Sequence, residues 1–166
     1  MNWLKKVFHR EQSSTDVTNS ILYNELTFYN QFIKDLLKAK EEVIIESPYL
    51  TTKRLKILIP IFTKLKKRNV RVFIITRDPK EHDEMMAEQS EAGICFFESA
   101  GHQVLLVNGR HHRKLAMIDR KVLWEGSLNI LSQTYSRELM RRIESRELTN
   151  ELFHFLKLNT LDVFNK

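Results

Sequence analysis

The sequence predicts an α/β fold, an α–β–α sandwich in which a mixed central β-sheet is flanked by helices. Two observations predict it. Segments of helical periodicity alternate with short β-branched runs in the first part of the chain, and a cluster of strand-like runs follows them. With 166 residues, of which 42% are hydrophobic, the chain is long and apolar enough for one domain with its own core.

The first half of the chain predicts an alternation of helix and strand. Residues 19–40 carry apolar side chains three and four positions apart, which is typical of an amphipathic helix. The run 43–45 is Val-Ile-Ile and predicts a buried strand. Residues 52–68 then predict a second helix and residues 70–76 a second buried strand.

The second half predicts one more helix, a group of strands and a closing helix. A third helix is predicted over residues 80–92, with Gly93 as its left-handed cap. Residues 1–20 are expected to form a poorly anchored N-terminal arm, and residues 21–166 the folded domain. The remaining patterns predict strands at 94–97, 103–107, 114–119, 122–125 and 138–143, and a helix at 149–164.

Composition narrows the function before any motif is considered. Lys and Arg number 27 against 21 Asp and Glu, so the net charge is +6, which favours a polyanionic partner such as nucleic acid or an anionic membrane surface. Cys95 is the only cysteine, which excludes a disulfide scaffold. No apolar run approaches the ~20 residues of a membrane span, and the first ten residues lack a signal-peptide centre, so the expected location is the cytoplasm.

Five polar residues late in the chain have a spacing that suits phosphate chemistry. His112, Lys114 and Asp119 form the pattern H-x-K-x4-D. After six intervening residues, a G-S-x-N sequence follows that contains Ser127 and Asn129. Residues i and i+2 of a strand share a face, so His112 and Lys114 point to one side of their strand, and Ser127 and Asn129 likewise point to one side of theirs. If the two segments pair, an imidazole, an ammonium, a hydroxyl and an amide converge on one small volume, as a phosphate site requires.

This pattern resembles the phospholipase D superfamily, whose hallmark is the HKD motif followed by G-S-x-N. The resemblance covers roughly residues 25–158, including the stretches 45–49, 70–76 and 136–140. The stretch 124–132, Trp-Glu-Gly-Ser-Leu-Asn-Ile-Leu-Ser, is especially similar to bacterial nuclease-like members, some of which are fused to helicases. The resemblance implies that residues 21–166 are a phospholipase D-like catalytic domain.

The resemblance also implies a role for each residue of the motif. His112 would attack phosphorus and form a phosphohistidine intermediate, which splits one difficult displacement into two easier ones. Lys114, Ser127 and Asn129 would hold the non-bridging oxygens of the phosphate. Asp119 belongs to the catalytic motif, although in the family its role is more often structural.

Three further positions are candidates. Glu138 lies where the family tends to have a carboxylate that orients the histidine. Tyr49 is expected to be an aromatic side chain facing the substrate, and Arg113 to belong to a basic rim that contacts phosphates. His111 would point to the opposite face of the strand, so we interpret it as a bystander.

The number of motifs implies how the site is assembled. Larger members of the family carry two HKD motifs, whereas this chain carries one. Because a second histidine must protonate the leaving oxygen, the resemblance implies a two-fold homodimer with one His112 from each subunit. No metal or other cofactor is expected, because lysine and the other donors would do the work of a divalent ion. A helicase or another DNA-processing protein is a further expected partner.

Three functions therefore stay open. The first is a metal-independent phosphodiesterase, an endonuclease that cleaves nucleic acid, with DNA as the expected substrate. The second is a phospholipid phosphodiesterase of the phospholipase D or cardiolipin type. Its interfacial anchor would be residues 3–8, a segment too short for us to favour a membrane partner. The third is a non-catalytic module that grips the phosphates of nucleic acid, although a pure binder would need no nucleophile.

Overall fold

A seven-stranded sheet organises the computed structural model, which describes residues 19–132 and 135–160. The order across the sheet is β1-β7-β6-β5-β2-β3-β4. In chain order the elements are β1 (Ser20–Asn24), α1 (Phe28–Lys38), β2 (Glu42–Glu46), α2 (Thr52–Lys67), β3 (Arg71–Arg77), a short 3-10 turn (Pro79–Glu81), α3 (Glu84–Ser99), β4 (Gln103–Val107), β5 (Leu115–Ile118), β6 (Val122–Gly126), β7 (Leu139–Glu144) and α4 (Arg146–Phe155).

The sheet is mixed, as the sequence predicts. Strands β2, β3 and β4 are parallel, whereas β5 runs antiparallel to β2, and β5, β6, β7 and β1 continue antiparallel from one neighbour to the next. At the centre, Ile45 pairs with Ile74 on one side and with Ala116 on the other. All five residues of β2 are buried, which explains why its three central residues, 43–45, form an apolar run without polar alternation.

Two apolar layers hold the sandwich together. Val43 and Ile45 of β2 face a core shared with α1, α2 and α3, whereas Ile44 faces the opposite layer, which α4 covers through Phe153. The alternation along one strand therefore supplies both cores, because successive strand residues point to opposite faces. The predicted α–β–α sandwich is confirmed. Every helix among the described residues falls short of the length and apolarity that a membrane span requires.

The prediction of one helix over residues 19–40 is wrong in its first part. Residues 20–24 form β1, an edge strand in which Ser20 pairs with Ile143 of β7. Ile21 and Leu26, which fit the helical spacing, are exposed. A short edge strand is recognised by its neighbour across the sheet rather than by a pattern of its own. The predicted arm falls largely on residues 1–18, outside the described residues.

The predicted end of the third helix is also wrong. Gly93 is inside α3, and residues 94–97 continue that helix instead of forming a strand. The glycine is needed for packing, because a Cβ on it would lie 2.8 Å from Leu55 Cδ1 and 3.1 Å from Leu50 Cβ. Helix α3 ends at Ser99. Two residues later Gly101 has a φ of 75°, the left-handed conformation expected of a glycine that terminates a helix.

The closing helix begins earlier than the sequence predicts. Ser145 caps α4, because its hydroxyl accepts a hydrogen bond of 3.2 Å from the Leu148 amide. The helix ends at Phe155, and the predicted residues 161–164 lie outside the described part of the chain.

Candidate active site

The candidate site lies at the carboxyl ends of the parallel strands, the edge where open α/β sheets bind ligands. Tyr49 follows β2 at this edge. Because β5 is antiparallel to β2, its first residue, Leu115, pairs with Glu46, the last residue of β2. The motif segment 111–114 therefore reaches the same edge from the other side of the pairing.

His112 and Lys114 contact each other. Lys114 Nζ lies 3.1 Å from His112 Nδ1 and donates a hydrogen bond of 2.7 Å to the His112 carbonyl oxygen. His112 is exposed, whereas Lys114 is partly buried. Burial lowers the pKa of Lys114, and the nearby Glu138 carboxylate acts in the opposite direction. The predicted imidazole and ammonium are thus adjacent.

The alternate residues of the same segment face a buried carboxylate. Arg113 donates hydrogen bonds of 2.6 and 3.3 Å to the two oxygens of Glu46, a side chain with no exposed surface. His111 Nε2 lies 3.5 Å from the same carboxylate. In this structure Arg113 therefore binds Glu46, and the predicted alternation of faces appears as two separate sets of contacts.

Burial shifts the pKa values of His111 and Glu46. It lowers the pKa of His111 to about 4, and the positive charge of Arg113 acts in the same direction. Burial raises the pKa of Glu46, and the hydrogen bonds from Arg113 oppose that rise. His111 is therefore neutral at pH 7 and lies behind the site. Glu46 was missed by the sequence reasoning, although a carboxylate ending an apolar strand was a visible signal.

Ser127 and Glu138 form the next part of the site. The Ser127 hydroxyl donates to one oxygen of the Glu138 carboxylate, and the Ser136 hydroxyl donates to the other at 2.7 Å. The Ser127 hydroxyl also accepts from the Leu139 amide at 3.1 Å. A side chain on Gly126 would overlap the Leu139 carbonyl oxygen, so the glycine of G-S-x-N permits this approach of β6 to β7. Here Glu138 binds two serines rather than His112.

Asn129 lies two residues beyond Ser127 in a turn closed by a hydrogen bond of 3.0 Å from the Ser132 amide to the Asn129 carbonyl. Its side-chain Oδ1 is buried and makes no hydrogen bond with any described residue. A buried amide oxygen without a donor costs stability unless a ligand satisfies it. Asn129 therefore has an unused acceptor, whereas the group that could donate to a phosphate oxygen is its side-chain NH2.

Tyr49 lies beside His112. Its ring lies 6.2 Å from the His112 ring, centroid to centroid and nearly perpendicular, and its hydroxyl accepts from Arg77 at 3.4 Å. On its other side the ring packs at 4.9 Å against His82, which hydrogen-bonds Ser90 at 3.2 Å. His82 is not among the residues that the sequence singles out for the site, since its contact with Tyr49 joins two separate loops.

Asp119 is not brought to the site. Its carboxylate lies at the other end of β5 and accepts hydrogen bonds from three consecutive backbone amides at the start of β2, those of Lys40, Glu41 and Glu42, at 2.8 to 3.2 Å. Asp119 also has a φ of 51°, in the turn that joins β5 to β6. The structure therefore gives it the role of fastening two strands together.

No metal centre accompanies these groups in the described residues, 19–132 and 135–160, where no three His, Cys, Asp or Glu side chains are placed to hold an ion. The donors that could face an anion are Lys114 and the side-chain NH2 group of Asn129. The Ser127 hydroxyl donates its single proton to Glu138 and would have to turn away from it to join them. With an adjacent imidazole, this set can bind a phosphate group and offer it a nucleophile.

Comparison with known proteins agrees with this geometry. Residues 32–157, most of the chain, match the family model described as "Cardiolipin synthase, PLD-like domain", where PLD stands for phospholipase D. Among curated proteins, none matches the chain in sequence.

Several solved structures share the fold. NucT from Helicobacter pylori is 18% identical, with a TM-score of 0.66 over 82% of this chain and 91% of that chain. Nuc from Salmonella typhimurium, a phospholipase D family member, is 14% identical, with a TM-score of 0.67 over 82% and 90%. The archaeal chromatin protein TrmBL2, described with a novel mode of DNA binding, is 10% identical, with a TM-score of 0.56 over 89% of this chain and 54% of that chain.

Proposed function

This chain belongs to the phospholipase D superfamily, through the domain described as cardiolipin synthase, PLD-like, and we propose that it is a metal-independent endonuclease that cleaves DNA through a phosphohistidine intermediate. The observation that carries the proposal is the contact of His112 with Lys114, 3.1 Å from Nδ1 to Nζ, at the edge of the sheet that also holds Ser127 and Asn129. A nucleophile beside an ammonium group and an amide donor suits a phosphodiester.

The reaction would proceed in two displacements. A ring nitrogen of His112 attacks phosphorus, the bond from phosphorus to the leaving oxygen breaks, and an acid protonates that oxygen. Water then attacks phosphorus and gives its proton to the group that acted as the acid, the phosphorus–nitrogen bond breaks, and His112 is restored. Because an ammonium group has no acceptor, Lys114 donates to His112 Nδ1 in the free protein. Substrate phosphate would draw Lys114 onto its oxygens and free the ring for attack.

The acid would be His112 of a second subunit, since the chain has one HKD motif. The surface next to Lys114 supports this homodimer. Leu22 and Leu139 are 57% and 52% exposed there and line one cleft together with Arg113 and Lys114. A second copy would cover these apolar side chains and place its own imidazole opposite the first.

Nucleic acid is the proposed substrate because the chain carries a net charge of +6 and because TrmBL2, which shares the fold, is described as binding DNA. The lipid alternative has one observation in its favour, the description of the matched family as cardiolipin synthase. The cytoplasmic location and a helicase or other DNA-processing partner stay predictions from the sequence.

The test is a substrate screen in EDTA. Purified protein is incubated with labelled single- and double-stranded DNA, with RNA and with cardiolipin vesicles. We expect DNA cleavage that persists in EDTA, falls by at least about 1,000-fold in His112→Ala and survives in His111→Gln. Cleavage of the cardiolipin vesicles and of no nucleic acid would establish the lipid alternative. Salt-sensitive binding of DNA without any cleavage product would establish the non-catalytic alternative.

The shared site is tested separately. Sedimentation should show a dimer, and mixed dimers of wild-type and His112→Ala chains should lose activity, because each shared site then lacks one imidazole. A monomer that still cleaves, or mixed dimers with half the wild-type rate, would contradict the shared site while leaving the phosphohistidine step intact.

A further inference from the structure

Helix α2 with its C-cap residue, residues 52–68, carries seven cationic side chains and no acidic one. Three of them contact α1 or the ends of α1 and α3. The Arg54 guanidinium lies 3.6 Å from the centroid of a tyrosine ring on α1. Lys66 donates at 2.9 Å to a backbone carbonyl after α3, and Arg68 donates to two carbonyls at the end of α1. Of the other four, Lys53 contacts the Tyr135 side chain, which is itself 85% exposed.

These four, Lys53, Lys56, Lys64 and Lys67, are all exposed and define what we call the lysine row. At about 100° per residue their directions fall within about 80° of one another, on the side of α2 opposite its buried residues. A rise of about 1.5 Å per residue makes the row roughly 21 Å long. The described residues contain no ion pair that involves Lys56, Lys64 or Lys67.

The stability of the helix does not account for this arrangement. Cations near a helix C-terminus are favoured by the helix dipole, which explains Lys64 and Lys67. Lys53 and Lys56 lie near the N-terminus, where the same dipole disfavours them and where the first turn has no acidic residue. Two pairs of lysines on one helix face, about 12 Å apart along the axis, therefore indicate an external anion that spans both.

The row begins beside the candidate active site. Helix α2 starts three residues after Tyr49, and the Thr51 amide that precedes it donates at 3.1 Å to the Leu131 carbonyl, just after Asn129. Lys53 Nζ lies 2.6 Å from the hydroxyl of Tyr135, a side chain that is 85% exposed. From this point the row runs away from the site along α2.

The neighbouring helices make the surface asymmetric. On one side α3 contributes Glu84, Glu88, Glu91 and Glu98 without a single cation, whereas α1 on the other side exposes Lys34 and Lys38. A polyanion on the lysine row is therefore repelled by α3 and attracted toward α1. A bound polyanion is therefore expected to lie along α2 on the side of α1 rather than on the side of α3.

We propose that the lysine row binds the backbone of a nucleic acid strand whose scissile phosphate lies at His112, an inference that rests on the proposed function. At about 3.4 Å per nucleotide, the row matches about six nucleotides. The exposed ring of Tyr135 stands at its start and offers a base a stacking surface. A membrane fits less well, because interfacial helices bury large apolar side chains, and this face exposes only Ile57 and Pro60 among its lysines.

The test compares two triple variants in a His112→Ala chain, so that binding is measured without cleavage. Lys56→Gln, Lys64→Gln and Lys67→Gln shorten the row. Lys40→Gln, Lys121→Gln and Lys157→Gln remove the same charge from exposed positions outside it. Anisotropy of a labelled single-stranded DNA 30-mer gives the affinity at several salt concentrations, and thermal melts verify that both variants are folded.

The row variant should lose about 2 from the slope of log affinity against log salt, about 0.7 for each lost phosphate contact, and bind roughly 100-fold more weakly at 0.1 M salt. The matched variant should keep the wild-type slope. Equal slopes for all three proteins, or equal losses in both variants, would overturn the inference. So would weaker binding to anionic phosphatidylglycerol vesicles with unchanged binding to the oligonucleotide.

The two proposals fail in different ways. If the wild-type chain cleaves no substrate but the row variant loses its salt slope, the nuclease proposal fails and the binding surface stands. If the wild-type chain cleaves DNA and the slope does not change, only the lysine row is refuted.

Discussion

Lys114 Nζ lies 2.7 Å from the carbonyl oxygen and 3.1 Å from the Nδ1 atom of His112, so the ammonium group occupies the position from which it could also reach a phosphate oxygen. Both partners come from a segment of three residues, and their contact needs no other element. The protonation of Lys114 then decides how the site responds to pH, because only the ammonium form attracts an anion.

The first prediction concerns that pH response. Burial lowers the pKa of Lys114 below its usual 10.5, so the ammonium form is lost earlier as the pH rises. Activity should therefore decline on the alkaline side below pH 10.5. In Lys114→Arg the guanidinium stays charged, so the decline should move to higher pH, with activity reduced about 10- to 100-fold at pH 7. The measurement is kcat/KM against pH, and an unchanged alkaline limb would exclude Lys114 as its source.

The second prediction separates Asp119 from the chemistry. Asp119→Ala leaves three backbone amides at the start of β2 without their acceptor. The free energy of unfolding measured in urea should therefore fall by about 2–4 kcal/mol. Asp119→Asn keeps one acceptor oxygen, so its free energy of unfolding should fall by a smaller amount. The turnover of the folded fraction should change less than about threefold in both variants. A large fall in kcat with unchanged stability would instead give Asp119 a catalytic role.

The third prediction concerns the ion pair behind the nucleophile. Arg113→Met leaves the Glu46 carboxylate buried without its cation, and we expect a loss of about 2–3 kcal/mol at pH 8. Because burial raises the pKa of Glu46, the folded variant takes up a proton more readily than the unfolded chain as the pH falls. The loss should therefore shrink toward pH 5.

A second variant checks that explanation. The double variant Glu46→Met and Arg113→Met removes the buried charge together with its partner, so it should be more stable than Arg113→Met alone. Urea unfolding of the wild type, of Glu46→Met and Arg113→Met alone, and of the double variant gives the coupling between the two positions. Additive losses would show that the two side chains do not stabilise each other.

The fourth prediction tests the packing of α3. Gly93→Ala gains about 1 kcal/mol of helix propensity, but its new methyl group would lie 2.8 Å from Leu55 Cδ1, and overpacking costs about 1–3 kcal/mol. We expect a net loss and a lower Tm. Adding Leu55→Val removes the obstructing methyl group, so the double variant should recover part of the loss. A Tm above that of the wild type would show that α3 can shift freely.

The reach of the sequence is clearest where a pattern is local. The β-branched runs around Ile44 and Ile74 predicted central strands correctly, because both faces of these strands are buried and no polar alternation interrupts them. The alternation in residues 111–114 likewise predicted which side chains share a face. Neither inference depends on how distant parts of the chain pack.

The errors have one cause in common. Residues 20–24 form a strand only because β7 offers them an open edge, and Gly93 continues a helix only because Leu50 and Leu55 press against it. Glu46 is tied to Arg113 and Tyr49 to His82 across gaps of 67 and 33 positions in the chain. Such contacts leave no periodic trace in the sequence.

By itself the sequence determined the family, the mixed sheet and the spacing that sets an imidazole beside an ammonium, because these follow from residue identity and strand periodicity. Only the tertiary structure decided that Asp119 fastens β2 far from the site, that Arg113 is held by Glu46 and that the lysine row of α2 is exposed between an acidic and a basic helix. The physical reason is that burial, charge pairing and surface continuity are properties of neighbours in space, which chain order does not specify.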